Sequence, residues 1–381
     1  MSDTSKVLAS VDWNFSTAPT NTGIHAIHPY PAKFIPQIPR KLIELFHPGD
    51  SSVVLDPFCG SGTTLVEAIN MGLDAWGIDL NPLACLTTRV KTTPLPFELT
   101  EVAKLIIIKA KKQLEEGSVR VPPIPRVDHW FKPDVQKVLA ALVQQINKEE
   151  QLSIREALQV ALSSIIVQVS NQDGDTRYAA IEKEVSIPGV FDRFEKSVAA
   201  VSKAVSSLSD NLFRRLGQAT VLNCDILTVT PNDLPSDIGL VITSPPYPNA
   251  YEYWLYHKYR MYWLGMDPIA VRKREIGARP HYFSKNHQDE RDFEEQMSIC
   301  FHLLTQVMRS DAKACFLVGR SIIHGRTIDN VALLQRAALP HGFIAEGIIE
   351  RSILITRKTF NPAHAKINQE HIIVFALKAR P

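Results

Sequence analysis

The sequence has little cysteine and almost no net charge. Its 381 residues include five cysteines, none of which form a Cys-x-x-Cys pair, so neither a zinc knuckle nor a disulfide framework is indicated. We therefore expect no bound metal and a reducing compartment. The net charge is only +2, from 42 Lys and Arg against 40 Asp and Glu. Any binding to nucleic acid must therefore come from local patches and not from a global basic field.

Long apolar runs are also missing. No stretch approaches the roughly 18 uninterrupted apolar residues of a membrane span, and the first residues lack the apolar core of a signal peptide. The 45% apolar and 22% charged residues are ordinary for a soluble protein. We expect a cytoplasmic protein with no membrane partner, built as one large α/β domain with an insertion or as two domains.

Strand and helix signals alternate in two separate parts of the chain. Residues 53–55 predict a buried strand, 63–71 a helix ended by Gly72, and 75–78 a second strand. This is a strand–loop–helix–strand unit of the nucleotide-binding kind. The pattern pauses near residue 95 and resumes near 219, with "GLVITS", "ACFLVGRS" and "EHIIVFAL" as further strands. The predicted fold is α/β and Rossmann-like, with a mostly parallel sheet formed by residues 1–95 and 219–381.

The stretch between these parts, residues 96–218, predicts a mostly helical insertion. Helices are expected over 98–116, 134–169 and 189–209, with the proline-rich "VPPIPRVDHWFKP" as a linker. At the other end of the chain, residues 1–24 are interpreted as an arm or loop, and a helix is expected from Pro36 onward.

Two acids follow the first two predicted strands, Asp56 and Asp79. In an α/β sheet the ligand binds at the carboxyl ends of the strands, and an acid about 20 residues after the first loop grips a ribose. The loop "CGSG" between them lets the backbone approach a ligand, but it lacks the lysine of a phosphate-binding loop. Asp56 would repel a pyrophosphate and suit a cation such as S-adenosyl-L-methionine. The alternative interpretation is a pair of ordinary strand-end turns.

Taken together, "DPFCGSGTTLVEA", "GIDLNP" and "TSPPY" resemble the exocyclic-amino DNA methyltransferases of restriction–modification systems. "HPYPAKFIP" is similar to the segment that precedes the glycine motif there, and "ILITRKTFNPAHAKINQEHIIVFAL" to the final strands. The resemblance implies S-adenosyl-L-methionine as cofactor. It implies that Asp79 accepts hydrogen bonds from the ribose hydroxyls and that Lys33 neutralises the methionine carboxylate. The remaining implied cofactor residues are Asp56, Phe58, Gly60, Gly62 and His28, although His28 could equally be a loop histidine.

The segment Ser244-Pro245-Pro246-Tyr247 is the more specific signal, because it marks the chemistry of the target. Proline has no N–H, so the Pro245 carbonyl and the Ser244 hydroxyl can accept hydrogen bonds from a target amine without competing donors nearby. Tyr247 would stack on a base extruded from the duplex. The alternative is a proline turn that ends a strand, with Tyr247 in the core.

Serine in the first position of this motif tends to accompany cytosine N4 in the family. The resemblance therefore implies a site-specific enzyme that methylates the N4 amine of cytosine in duplex DNA, with base flipping. N6-adenine methylation, RNA guanine-N2 methylation and a non-catalytic DNA-binding subunit stay open as alternatives. The glycine motif precedes Ser244, unlike in many such enzymes, which makes 96–218 the candidate target-recognition region between the two halves of the catalytic domain. A restriction endonuclease acting on the same site, without a stable complex, and association with the nucleoid through DNA are further expectations.

A basic stretch follows a run of aromatic residues after the Ser-Pro-Pro-Tyr motif. We name Arg272, Lys273, Arg274 and Arg279 the basic cluster and predict that it grips phosphates. Tyr259, Tyr262 and Trp263 lie at helical spacing and are expected to pack in the core. A solvated helix face is the alternative for the cluster.

Overall fold

The computed structural model describes residues 3–19, 21–31, 33–47, 49, 52–95, 98–175, 177–209, 217–248, 252–285, 287–352 and 369–378. Most of the "ILITRKTFNPAHAKINQE" stretch, over 353–368, and Tyr251 lie outside the described residues. The strands are β1 (Val53–Asp56), β2 (Asp74–Asp79), β3 (Gln172–Gly174), β4 (Arg177–Ala180), β5 (Ala219–Asn223), β6 (Ile238–Thr243), β7 (Met308–Gly319), β8 (Ser321–Ile323), β9 (Arg326–Ile328), β10 (Phe343–Ser352) and β11 (Gln369–Leu377).

The helices flank these strands along the chain. They are α1 (Asp3–Ala9), α2 (Gln37–Leu45), α3 (Thr63–Asn70), α4 (Pro82–Thr92), α5 (Leu99–Glu115), α6 (Val127–Trp130), α7 (Pro133–Ile146), α8 (Leu152–Val169), α9 (Ile187–Ser209), α10 (Tyr253–Trp263), α11 (Pro268–Arg274), α12 (Arg279–Phe283), α13 (Glu290–Val307) and α14 (Asn330–Ala338).

Among the described residues, seven strands form one sheet in the order β10-β11-β7-β6-β1-β2-β5. The five from β7 to β5 run parallel, and β11 is antiparallel to both of its neighbours. The chain order reverses at β1, which has β2 on one side and β6 on the other. The crevice beyond the carboxyl ends of β1 and β6 is therefore the topological switch point, where such sheets bind ligands. The predicted Rossmann-like, mostly parallel sheet is confirmed.

Alternate side chains of the buried strands enter two cores. On β1, Val54 packs with the helices α1, α2 and α3, whereas Val53 and Leu55 pack on the opposite face with α13 and α14. All four residues of β1 are buried, as expected for a strand covered by helices on both faces. This double covering fixes the position of the strand end that carries Asp56.

The segment 96–218 is mostly helical, as predicted, and carries one hairpin of β3 and β4. Its helices share an apolar core with α4 and α10. In the described part of the chain, α8 is the one helix long and apolar enough to cross a membrane, but two thirds of it is buried in this core. It therefore has the character of a core helix.

Two expectations about helices were wrong. The helix predicted over 134–169 is two helices, since α7 ends at Ile146 and α8 begins at Leu152. The five residues between them are polar, and four are exposed, so they interrupt the apolar periodicity. The proline-rich linker also contains the single turn α6, whose Trp130 is buried. By contrast, the helix predicted over 189–209 is confirmed as α9.

The interpretation of residues 1–24 as an arm or loop was wrong for residues 3–9, which form α1. Helix α1 packs on β10, where Leu8 lies so close to Gly347 that an added Cβ there would be 2.6 Å from its Cδ1. Trp13 is buried too, and its Nε1 donates to the Leu8 carbonyl at 2.8 Å. A seven-residue helix is marginal on its own, so tertiary contacts that no local pattern reveals stabilise it.

Candidate active site

A pocket opens at the carboxyl edge of the sheet, at the switch point beside β1. The space between its walls is about 860 Å³, including the part open to solvent, which is in the range of small-molecule sites. It brings together parts of the chain that are far apart in sequence. The described residues that line it are Tyr30, Lys33, Phe34, Asp56, Pro57, Phe58, Cys59, Gly60, Ser61, Thr63, Asp79, Leu80, Asn81, Cys224, Asp225, Ile226, Ser244, Pro246, Tyr253, Val271, Arg274, Glu275 and Ile276.

The glycine loop forms the floor of this pocket and leads into α3. Gly60 and Gly62 have φ of +50° and +80°, a left-handed conformation that glycine adopts without strain. A Cβ on Gly62 would lie 2.5 Å from Thr88 Cγ2. Gly62 thus shapes the loop without lining the pocket. Gly60 lines the pocket, and its N–H donates to Asp79 Oδ2 at 2.8 Å.

Asp56 connects the cofactor motif to the target motif. Its Oδ1 accepts from the Phe58 N–H at 3.1 Å and from Thr243 Oγ1 at 2.6 Å. Thr243 ends β6 and directly precedes Ser244, although it lies 187 positions from Asp56 in sequence. Burial raises the pKa of Asp56 to about 6, although these hydrogen bonds act in the opposite direction. The parallel pairing of β1 and β6 explains how the two motifs meet.

Acids also stand at the ends of β2 and β5. Asp79 accepts from the N–H groups of Gly60 and Asn81, and burial raises its pKa to about 6. Asp225 follows β5, lines the same pocket and accepts from the Leu227 N–H at 3.1 Å. Sequence reasoning missed Asp225, although its signal was available. It follows a predicted strand in "VLNCD", as Asp56 and Asp79 follow theirs.

The segment before β1 supplies one wall of the pocket. Lys33 Nζ donates to the His25 carbonyl at 2.6 Å and to Asn21 Oδ1, and burial lowers its pKa to about 8. Tyr30 stacks on Tyr253 with ring centroids 5.7 Å apart, and both line the pocket. Sequence analysis selected Lys33 but missed Tyr30, three positions earlier in the same motif.

Residues after β6 form the opposite wall. Glu275 is 7% exposed, and its carboxylate accepts from the Trp254 N–H at the start of α10. Burial raises the pKa of Glu275 well above its usual value. Arg274 lines the pocket beside it. The carboxylates of Asp56, Asp79 and Asp225 outnumber the two cations in the lining, on Lys33 and Arg274, even without Glu275, whose raised pKa favours its neutral form. Such a site favours a cationic ligand over a phosphate.

Ser244 and Pro246 of the target motif line the pocket. Pro245 is buried behind them, and Tyr247 is 9% exposed, with its ring in the core shared with α13. The two tyrosine rings that line the pocket are Tyr30 and Tyr253. Base stacking by Tyr247 therefore stays a prediction, and the packing of its ring agrees with the alternative interpretation of a core tyrosine.

The remaining sequence-selected residues lie outside the pocket lining. The structure does not bring His28 to the pocket: it is 1% exposed, and its Nε2 lies 2.9 Å from Ser163 Oγ of α8. Arg272, Lys273 and Arg279 are exposed. Tyr259 and Trp263 are buried at 4% and 1% exposure, as predicted for core residues, whereas Tyr262 is only partly buried against the same core. In the described part of the chain, no group of three or more His, Cys, Asp or Glu side chains could hold a metal ion.

The chain is similar in sequence to known proteins. A family model described as DNA methylase matches residues 3–89. The type II methyltransferase M.MvaI of Kocuria varians is 29% identical over 243 residues, or 58% of this chain and 53% of that protein. M.MjaII of Methanocaldococcus jannaschii is 39% identical over 93 residues, which cover 24% of this chain and 17% of that protein. These matches support a relation to the exocyclic-amino DNA methyltransferases. The resemblance first drawn from the motifs is thereby confirmed.

S-adenosyl-L-methionine is the cofactor of this exocyclic-amino DNA methyltransferase family, and the excess of carboxylates in the pocket fits it. The predicted cofactor is confirmed at the level of the family. A third relative, M.BsoBI of Geobacillus stearothermophilus, is 20% identical over 282 residues, covering 66% of this chain and 55% of that protein. The chain thus spans about half the length of M.MvaI and of M.BsoBI.

Proposed function

We propose that this chain transfers a methyl group from S-adenosyl-L-methionine to the exocyclic N4 amine of cytosine in duplex DNA. The observation that carries the proposal is the Asp56–Thr243 hydrogen bond, because it joins Asp56 to the residue before Ser244, and both Asp56 and Ser244 line the pocket. A methyl donor and an amine must be held in contact for direct transfer, and such positioning is a large part of catalysis.

The cofactor would lie over the glycine loop. Asp79 would accept hydrogen bonds from the ribose hydroxyls, and Asp225, at the end of the next strand, would accept from the adenine amine. Asp56, Phe58 and Gly60 would contact the methionine and ribose end, while Lys33 would pair with the carboxylate. When bound, the cofactor supplies the electrophilic methyl group. The carboxylates then neutralise charge that would otherwise be buried alone.

The target amine would be held by Ser244 and by the carbonyl of Pro245. The lone pair of an exocyclic amine is delocalised into the ring, and nitrogen becomes positive as the methyl group arrives. Acceptors fixed by two prolines stabilise that charge without reorganising. Tyr247 or Tyr253 would fix the plane of the extruded base by stacking. Tyr253 is the alternative that the structure adds, because its ring lines the pocket.

Cytosine is proposed because serine occupies the first position of the motif, and adenine N6 is the main alternative. The relatives are named type II methyltransferases, so a restriction endonuclease of the same specificity is the expected counterpart. The segment 96–218 is the proposed target-recognition region. A cytoplasmic enzyme associated with the nucleoid through DNA is the setting that this function implies.

The test is methyl transfer by the purified chain from S-adenosyl-L-methionine carrying a labelled methyl group. Bacterial genomic DNA lacking modification and total bacterial RNA are offered separately, then digested to nucleosides. We expect label in N4-methylcytosine from DNA. Label in N6-methyladenine would show that the target base is adenine and not cytosine. Label in RNA N2-methylguanosine would overturn the assignment of DNA as substrate. Binding of DNA without any transfer would favour a non-catalytic subunit.

A further inference from the structure

The most exposed Phe, Tyr or Trp side chain in the described part of the chain is Phe283, which is 45% exposed. It ends α12, and its neighbour Tyr282 is fully buried in the core. An anchored turn thus holds an apolar ring out in solvent. Single exposed apolar residues are common, so exposure alone assigns no role, and the surroundings of the ring decide its interpretation.

Charged and aromatic groups surround Phe283. The Arg279 guanidinium lies over its ring, 5.1 Å from the centroid. On another side, the His324 ring centroid is 4.8 Å away. His324 and Gly325 form the tip of the hairpin of β8 and β9, and both have positive φ, at 47° and 80°. His324 is exposed. The hairpin tip and α12 therefore present one joint surface.

This surface is connected to the target motif. The His281 Nε2 of α12 lies 3.0 Å from the Arg272 carbonyl, which joins α12 to the end of α11. Between the two helices, an added Cβ on Gly277 would be 2.7 Å from the Tyr247 carbonyl oxygen. The chain that carries Phe283 therefore rests directly on the Ser-Pro-Pro-Tyr segment, and Ile276 in the same stretch lines the pocket.

The charge of the surface identifies its partner. Arg272, Lys273 and Arg279 are exposed beside it. Both guanidinium groups are held over rings, Arg279 over Phe283 and Arg272 at 5.1 Å from the Trp254 ring centroid. Arg326 on the hairpin pairs with Glu290, so its charge is already compensated within the protein. Cations around an exposed apolar ring fit a duplex, whose phosphates the cations contact while the ring enters between bases.

Resting on the proposed function, we propose that Phe283 is the wedge that fills the gap left in the duplex when the target base is extruded. Extrusion costs stacking energy, and a ring inserted into the gap restores part of it. Arg272 and Lys273 hold the flanking phosphates, while Arg279 and the hairpin tip position the ring. Phe283 is thus a positioning residue for base flipping and does not contact the reacting atoms.

The test compares two duplexes of about 30 base pairs and the same sequence, one intact and one with a central abasic site as a preformed gap. We expect the wild-type chain to bind the abasic duplex more tightly, by about tenfold on the scale of base–aromatic stacking. Phe283→Ala should abolish this preference and Phe283→Trp should keep it. Affinity of all three for S-adenosyl-L-methionine, and their melting temperatures, should agree.

Equal binding of both duplexes by the wild type, or an unchanged preference in Phe283→Ala, would overturn the assignment of Phe283. A preference that disappears equally in Phe283→Trp would indicate a packing role and would also overturn it. The proposed function is checked separately by wild-type methyl transfer to genomic DNA. If transfer occurs without any preference for the gap, the wedge alone is wrong. If the chain neither binds nor methylates DNA, the function itself is wrong.

Discussion

At the residue scale, the carboxylates at the strand ends dominate the site. Asp56 and Asp79 were predictable from sequence because each directly follows a strand in a unit with a glycine loop. Glu275 was not predictable, since "VRKREIGARP" gives no sign that its one acid is buried among exposed cations. That arrangement depends on the N-terminus of α10, whose Trp254 N–H needs an acceptor. Tyr30 was not predicted as a site residue for a similar reason, because its stacking partner Tyr253 is distant in sequence.

The affinity for S-adenosyl-L-methionine should depend on pH through Asp56 and Asp79. Burial raises the pKa of both to about 6, so in the free protein they take up protons below that pH. A cationic ligand favours their ionised forms, so affinity should be full above about pH 7 and weaken as pH falls through 6. Titration calorimetry from about pH 5 to 8 measures this. Affinity that is flat across the range would contradict the assignment.

Asp79→Asn is the matched variant for this dependence. It removes one ionised acceptor and should weaken binding by about 1.5–3 kcal/mol near neutral pH, with a shallower dependence on pH. The stability of the free protein depends on pH in the opposite direction. Because the folded-state pKa is raised from 3.8 to about 6, the stabilising contribution of Asp79 is full below about pH 4 and is lost as pH rises through 6. Wild-type affinity in a folded Asp79→Asn protein would remove Asp79 from the site.

Ser244→Ala should slow the chemical step without loosening the cofactor. The variant deletes one acceptor for the developing charge, and losing one preorganised group at an oxyanion typically costs about 10²–10³ in rate. The charge that develops on the amine is positive and not negative, so we expect a loss of rate at the lower end of this range. Single-turnover transfer to DNA, with cofactor affinity measured separately, checks this. A wild-type rate would leave the Pro245 carbonyl as the main acceptor.

At the scale of elements, strand ends were easier to predict than the helices that cover them. The strands β1, β2 and β6 were predicted to within one or two residues at either end, because two-sided burial makes them short and apolar. Helix α1 was not predicted because it depends on contacts with distant elements, whereas the break between α7 and α8 follows from five polar residues that the single predicted helix included. The segment α11–α12 was predicted as a basic surface, yet the structure divides it. All three side chains are exposed, but Arg274 also lines the pocket, whereas Arg272 and Lys273 do not.

This division shapes the test of the basic cluster. Arg272→Ala combined with Lys273→Ala, with Arg274 retained, should weaken DNA binding. It should also flatten the salt dependence, by about 0.9 in slope for each phosphate that the variant no longer neutralises. Cofactor affinity should not change. Lys41→Ala is the control, because Lys41 lies on α2, which packs on the opposite face of the sheet from α13 and α14. An unchanged slope in the double variant would make Arg272 and Lys273 a solvated face only.

At the scale of the whole molecule, two stretches of the chain form one sheet, and the helical segment lies between them in sequence. This segment shares its core with α4 and α10. Motif order and the return of strand signals near residue 219 made the Rossmann-like sheet predictable. The antiparallel insertion of β11 between β7 and β10 was not, since nothing local distinguishes it from a strand added at the edge. The placement of α10 between the pocket and the helical core connects the proposed recognition region to Tyr253 and Glu275.

The most direct test of the central claim is base-modification sequencing of DNA from a bacterial host that lacks N4-methylcytosine and expresses this chain. The wild type should produce N4-methylcytosine at one recurring sequence motif, and the Ser244→Ala variant at the same expression level should leave most of those positions unmodified. Recurring N6-methyladenine would show that the exocyclic-amine chemistry is right and the base wrong. Unmodified DNA in cells that contain folded protein able to bind S-adenosyl-L-methionine would contradict the account.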